Sequence, residues 1–538
     1  MIYNRLMEKS FKINFTHIYN LFLFLYVCLG FYFSIKTGVT SDELVHLGNW
    51  RLSLEVINKF LLNIGDSNFD LVNYEWKFHG IGFHHFSQLY VFILNFFVNF
   101  EPFDKDTSHI LLNHSLYFFT FFLSGIFSKK IIDLLIKDSF ISKIFLIFYL
   151  MYPYLLGHGF YNPSDMAFLF AWILCTYISF NIFIKILKNQ EIHLSSIFII
   201  SFSTAFLLSI RMSGILIFLQ YLITLITTIN VGKISITRIV KFYSFKIFLF
   251  ILFTFIFTYL FYPIFWIDPL NILHAINQMK NIPYGVCTLT LGNCMDALNL
   301  PSSYILIWLF FKLPLLSFIG LTLFPFTEKR IFSQPVRQII LGSILLSVIS
   351  IIFLLILFEV NLYDELRHIL FLVPLILIAS FSIIYFFSKK LLLFITFISI
   401  FVFTTQNINM YPYQYTWFNS FGNFININNN FEVDYWGVSG RNIAKKINNN
   451  SQLLQHKDKC IYVAPKHVIE PFISADYNCV KSFFSIYPKS NEKYILIKYM
   501  RNIRRENPDN CELIIEESYN LNLFGNKLIL GEVYLCNS

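Results

Sequence analysis

Charge is scarce in this chain. Asp, Glu, Lys and Arg make up 14% of its 538 residues, where a soluble protein carries about 25%. With 56% hydrophobic residues, that shortage excludes an ordinary soluble domain and requires a polytopic membrane protein. No small-residue cleavage site follows the first apolar segment, Phe15 to Ile35, so it reads as a retained helix rather than a removed signal. The net charge of +9 is spread over short loops such as Ser128-Lys129-Lys130 and Ser388-Lys389-Lys390. It marks cytoplasmic anchors and excludes a nucleic-acid footprint.

What is present is apolar and aromatic. Aromatics reach 19%, mostly Phe, as suits lipid contact and membrane interfaces. The first segment is long enough to cross a bilayer, and further apolar segments follow as far as 391–405. Arg5, Lys9 and Lys12 place the N-terminus in the cytoplasm. Lys and Arg clusters at 128–143, 185–188, 233–246, 329–337 and 389–390 put those turns on the same side. The stretches 37–85, 158–165, 266–302, 360–367 and everything after 405 are then outside. Segment 86–100 is short and poor in positive charge, and reads as re-entrant or interfacial. Periodicity in Leu44–Ile64 points to helices lying on the membrane.

The expected fold is an α-helical polytopic membrane protein of about 11 to 13 transmembrane helices with a small C-terminal extracytoplasmic α/β domain. The membrane domain covers 1–405, with a first outer loop at about 37–85, and the α/β domain covers 406–538. In the latter, Cys460–Ala464, Tyr494–Lys498, Leu513–Glu516 and Leu528–Leu535 read as strands and Gly440–Ile447 as a helix. It lacks a Gly-rich phosphate loop of the Walker or Rossmann type. Of eight cysteines, Cys28 and Cys175 lie in apolar segments as inert core thiols. Cys287 and Cys294 share one loop, and Cys460, Cys479, Cys511 and Cys536 share the C-terminal part. Even numbers suggest disulfides in an oxidising compartment, though four cysteines allow three pairings.

The unusual polar residues fall on the predicted outer side. Thr40-Ser41-Asp42-Glu43 leaves the first span, with His46 close behind. His79, His84 and His85 precede segment 86–100, and His158, Tyr161, Asn162 and Asp165 share one stretch. Arg211 ends a span, Lys280 lies in the Cys-paired loop, and Asp364, Glu365, Arg367 and His368 open a late span. Together they imply an outward-facing cavity at the membrane surface. It suits a lipid-phosphate donor whose tail stays in the bilayer. Arg and Lys bind the phosphate and stabilise it as a leaving group, while a carboxylate takes the proton of an acceptor hydroxyl. Asp42 is the expected base, with Glu43 positioning the acceptor or sharing that work. His46, His84, His158, Asn162, Asp165, Arg211, Lys280, Arg367 and His368 are the expected substrate-binding residues.

Plainer roles stay open for each. Asp42 and Asp165 suit helix caps, Arg211 an interfacial snorkel, and Arg367 and His368 topology anchors. His84-His85 suits a satisfied interfacial pair. No spacing specifies a metal site, since nothing near Cys287 and Cys294 completes four zinc ligands. A divalent metal is left open.

Thr40-Ser41-Asp42-Glu43, the stretch His158 to Asp165, Arg211-Met212-Ser213-Gly214 and Leu366-Arg367-His368-Ile369-Leu370-Phe371 carry a resemblance over about residues 14–440. So do Tyr411-Pro412-Tyr413-Gln414-Tyr415 and Asp434-Tyr435-Trp436-Gly437. The chain resembles the GT-C glycosyltransferases, in particular the protein O-mannosyltransferases and the bacterial aminoarabinose and related lipid-linked-sugar transferases. The resemblance implies a polyprenyl-phosphate sugar donor and inversion at the anomeric carbon, with an acid matching Asp42 as base. The acceptor is a protein, glycolipid or polysaccharide, and the outer face of a bacterial inner membrane is the expected location. Two family features are missing: the β-trefoil loop domain of the eukaryotic enzymes and a Lys-Pro-Pro-Leu signature, whose region holds His79-Gly80-Ile81-Gly82-Phe83-His84-His85. The rival readings are a transporter or flippase of a lipid-linked or small anionic substrate, and an assembly subunit whose outer domain binds a partner.

Overall fold

The computed structural model describes residues 2–65, 69–97, 103–278, 285–477, 479–482, 493–501, 509–521 and 527–537. Seven of its helices are long and apolar enough to cross a membrane: Phe15–Ile35, Lys105–Ile136, Asp165–Leu187, Met212–Gly232, Ile236–Phe261, Pro335–Leu357 and Lys389–Met410. Two bent pairs bring the number to nine: Ser139–Met151 with Pro153–Tyr161, at 62°, and Tyr304–Lys312 with Leu315–Thr322, at 110°. Proline explains both breaks, because Pro153 and Pro314 cannot continue the preceding helix and restrict the residue before them. Two shorter apolar helices, Leu194–Ile210 and Leu372–Phe387, complete the bundle. The expected count of 11 to 13 therefore exceeds the seven to nine that qualify on length and composition.

The outer rows of Ile, Leu and Phe stay exposed, as a lipid-facing surface requires. Examples are Ile18, Leu21 and Phe24 on the first helix and Phe394 and Phe401 on Lys389–Met410. The segment expected to fall short of a span forms the helix Gly82–Leu94. At 1.5 Å per residue it runs about 20 Å, too short for a hydrocarbon core of about 30 Å. The helix Glu43–Leu62 follows the first span, where surface helices were expected.

Strands β1 (Cys287–Thr290) and β2 (Asn293–Asp296) form a hairpin closed by the Cys287–Cys294 disulfide. The C-terminal sheet comprises β3 (Cys460–Val463), β4 (Cys479–Ser482), β5 (Lys493–Tyr499), β6 (Cys511–Asn520) and β7 (Lys527–Asn537), in the order β4-β3-β5-β7-β6. β3 runs parallel to β4 and β5, and β7 antiparallel to β5 and β6. Four of these strands match expected runs. Short β4 was not anticipated, because its Cys-Val-Lys-Ser shows little alternation. Disulfides join Cys460 to Cys479 and Cys511 to Cys536. Cys175 is buried, but Cys28 is exposed on the lipid-facing side of the first helix and is not a core thiol.

The main core does not stop at 405. Tyr413, Tyr415, Trp417, Phe431, Tyr435, Trp436 and Val438 belong to the same buried cluster as the helices, while a separate core for the sheet begins with Ile443. The change of core thus falls beyond the composition change that suggested a boundary. Gly157 lies at a tight seam against the backbone of this segment. A Cβ there would lie 2.0 Å from the Tyr415 backbone nitrogen. Gly157→Ala is expected to destabilise the solubilised protein by about 1–3 kcal/mol through overpacking. In Gly342→Ala the nearest atom would be 3.8 Å away, so it should leave the melting temperature unchanged or raised. Thermal melts of the two variants check this.

Candidate active site

The site begins where the first helix ends. Arg441 Nη1 donates to the carbonyls of Ile35 (3.2 Å) and Thr37 (2.9 Å), taking up acceptors that the helix end leaves unmet. Ser41 N then donates to the Trp436 carbonyl at 3.1 Å. The chain turns and the next helix starts with Asp42 as its N-cap residue. Successive helical residues point about 100° apart, so the two acids of the Asp-Glu pair diverge. Asp42 faces a cavity of about 430 Å³, but Glu43 does not line it. Glu43 Oε2 accepts from Thr40 N at 2.7 Å, and its Oε1 pairs with His114 Nε2 at 2.8 Å. His114 Nδ1 in turn meets Thr37 Oγ1 at 2.8 Å. Glu43 thus fastens the turn that presents Asp42.

Asp42 Oδ2 accepts from Arg367 Nη1 at 2.6 Å and from Trp436 Nε1 at 3.2 Å. Its Oδ1 has the Ser41 hydroxyl at 3.3 Å. Burial alone would raise the Asp42 carboxyl, but the Arg367 guanidinium overrides it and holds the group well below the usual carboxylate range. Arg367 is only 5% exposed and packs against the rings of Tyr363 (4.7 Å) and Trp436 (5.6 Å). It also approaches Asp364 Oδ2 at 3.5 Å. Asp364 pairs on its far side with Arg501 of the sheet domain.

A second group reaches the cavity from behind. Asn162 Oδ1 accepts from the backbone N–H groups of Ser164 (3.2 Å) and Asp165 (2.8 Å), fixing the start of the helix Asp165–Leu187. The Asn162 amide donates to His158 Nδ1 (3.0 Å) and Asp165 Oδ2 (3.1 Å). Asp165 Oδ1 meets Arg211 Nη2 at 2.7 Å, and Arg211 Nη1 donates to His368 Nδ1 at 3.2 Å. Arg211 and His368 line the cavity, whereas Asp165, Asn162 and His158 lie behind them.

Histidines form the remaining wall. His46 lines the cavity, stacks on His84 at 5.2 Å between ring centres, and meets His79 edge-on at 5.9 Å. Burial pulls His46 below its ordinary value, with His84 and His79 adding to the effect. Burial followed by Arg211 pulls His79 down to about 4. His84 is buried and supports His46 without lining the cavity. Among the described residues, no three His, Cys, Asp or Glu side chains converge as a metal site would need.

Of the expected residues, Asp42, His46, Arg211, Arg367 and His368 share one cavity. Glu43, His84, His158, Asn162 and Asp165 stand behind it. Lys280 lies outside the described residues. Arg501 and Tyr363 went unrecognised. Arg501 follows a strand of a polar domain and looks there like any surface cation. Tyr363 shares a loop with the recognised Arg367, but a lone Tyr beside an outer loop carries no signal of its own.

No family model and no curated sequence matches the chain. Among solved structures it is similar to ArnT from Cupriavidus metallidurans bound to undecaprenyl phosphate. The TM-score is 0.49 and the identity 10%, covering 97% of this chain and 98% of that one. The apo state of the same protein gives 0.47 and 10%, covering 96% and 97%. The archaeal oligosaccharyltransferase AglB from Archaeoglobus fulgidus, in complex with an inhibitory peptide and a dolichol-phosphate, gives 0.40 and 10%, covering 86% and 64%.

The histidine wall makes a pH prediction. A histidine whose folded value lies below its unfolded value of about 6.5 binds its proton more readily in the unfolded chain. Its contribution to stability is full above that value and is lost as pH falls through the folded one. The melting temperature should therefore drop between about pH 6.5 and the His79 value of about 4. His79→Gln should make that fall shallower, as melts across this range will show.

Proposed function

We propose that this integral membrane protein transfers a sugar from a polyprenyl-phosphate donor to an acceptor hydroxyl at the outer face of the membrane. The observation that carries this reading is the convergence of Asp42, Arg367 and Arg211 on one cavity beside the ends of apolar helices. A donor held by its tail in the bilayer brings its phosphate to that level. The described groups suit a reaction that needs both cations and a carboxylate.

In this scheme the acceptor oxygen attacks the anomeric carbon as the bond from that carbon to the phosphate oxygen breaks. The electron pair leaves with the polyprenyl phosphate and the acceptor proton passes to Asp42. A single displacement inverts the anomeric centre. Arg367 has a double part. While paired with Asp42 it keeps the carboxylate ionised but weakly basic. As Arg367 turns toward the donor phosphate, it stabilises the leaving group and leaves Asp42 a stronger base. Arg211, oriented by Asp165 and Ser164, offers a second guanidinium to the phosphate. The neutral His46 and the rings of Trp76, Tyr363 and Tyr435, which line the same cavity, suit the faces of a sugar. The outer domain and the disulfides fit an oxidising, extracytoplasmic side, as on a bacterial inner membrane. Counting the two shorter helices as spans gives a total within the expected range.

Asp42→Asn keeps size and hydrogen bonding but removes the base. It is expected to cut transfer from a short-chain polyprenyl-phosphate sugar by about 10²–10⁴-fold, measured as labelled product by thin-layer chromatography or mass spectrometry. Full activity in Asp42→Asn contradicts the assignment. Lipid movement across a vesicle membrane with no covalent product favours the transport reading instead.

A further inference from the structure

We propose that Arg501, supplied by the C-terminal sheet domain, is an anion-binding residue of the cavity and takes the phosphate of an incoming ligand in exchange for Asp364. The proposal deepens the reading of the cavity as a lipid-phosphate site and rests on it.

Placement comes first. β5 is flanked on both sides, by β3 and β7, and so is a rigid base. It ends at Tyr499, and Met500 then adopts φ +54°, a left-handed conformation that a long side chain seldom takes. The turn brings Arg501 to the cavity, which Met500 and Arg501 both line. On the facing loop Asp364 and Glu365 are also left-handed, at φ +55° and +65°. Both sides of the Asp364–Arg501 pair thus rest on unusual backbone, a feature that clusters where a protein holds functional groups in place. The hairpin steadies the two together. Thr288 Oγ1 on β1 accepts from Asp364 N at 2.9 Å, and the Cys287 carbonyl on the same strand accepts from Arg501 Nε at 3.2 Å.

Among the described residues, exposure separates the three guanidinium groups that line the cavity. The Arg367 side chain is 5% exposed and Arg211 19%, but Arg501 reaches 36%. Arg501 is the one most open to an arriving ligand. Its departure would not strand Asp364, because Arg367 lies 3.5 Å away and would still compensate that carboxylate. A guanidinium also offers the planar fork that matches two phosphate oxygens. The ligand class is a phosphate monoester or diester head, and the sheet domain becomes one wall of its site.

The test is equilibrium binding of farnesyl phosphate to the full chain in detergent micelles. Farnesol serves as the uncharged control and inorganic phosphate as the soluble arm. The wild type should prefer farnesyl phosphate to farnesol. Arg501→Gln should lose about tenfold of phosphate-dependent affinity, and Arg501→Lys should fall between. Asp364→Asn removes the competing carboxylate and should tighten binding. A loss seen with farnesyl phosphate alone assigns Arg501 to a lipid head, and an equal loss with inorganic phosphate assigns it to any phosphate. Wild-type affinity in an Arg501→Gln protein that melts normally overturns the proposal. If Arg501→Gln melts early, Asp364→Asn decides: tighter binding supports the exchange, and unchanged or weaker binding overturns it. A wild type that does not distinguish farnesyl phosphate from farnesol overturns the lipid-phosphate reading itself.

Discussion

Asp42 and Arg367 lie 325 residues apart in the chain and 2.6 Å apart in space. Burying such a pair costs desolvation that only close geometry and further hydrogen bonds repay. The surrounding structure supplies both. Trp436 donates to the same carboxylate oxygen, aromatic rings cover the guanidinium, and Asp364 shares its charge. Removing Asp42 would leave the Arg367 guanidinium, 5% exposed, with only the longer contact to Asp364, so the two elements that carry the pair are tied to one position. One is the turn after the first helix, and the other is the loop between the helices Pro335–Leu357 and Leu372–Phe387.

The part of the chain beyond the helical bundle is built into that position. Arg441 holds the end of the first helix, Trp436 hydrogen-bonds Ser41 and Asp42, and His467 Nε2 meets the Ser41 carbonyl at 3.2 Å. A Cβ on Gly38 would come within 2.5 Å of the Val438 carbonyl oxygen, so backbone lies on backbone at this seam. A second buried pair, Lys312 with Glu365 at 2.9 Å, anchors the other side of the Arg367 loop. Burial pushes the Glu365 carboxyl up to about 7 although Lys312 opposes it. The loop that presents Arg367 is therefore held from the bundle by Lys312 and from the sheet domain by Arg501.

Much of this was legible in the residues. Scarce charge and long apolar runs require a membrane protein, and basic loops sort the polar residues to one side. That sorting singled out Asp42, His46, Arg211, Arg367 and His368, which meet in one cavity. The Asp-Glu dipeptide could not be divided by sequence, because only the helical turn at Asp42 sends Glu43 away to His114. His158, Asn162 and Asp165 were legible as unusual but not as supports, since a residue behind a site and one lining it look alike in a sequence. Arg501 escaped because its role depends on how the sheet docks. The bends at Pro153 and Pro314 were not legible, because the apolar runs that contain them look continuous.

The proposed transfer needs a donor phosphate bound at the Asp42–Arg367 pair. An experimental structure with a short-chain polyprenyl phosphate tests it most directly. The phosphate is expected between Arg367 and Arg211, with Arg367 drawn away from Asp42 and the carboxylate left facing the cavity. A phosphate bound elsewhere, with the Asp42–Arg367 pair intact, would contradict it.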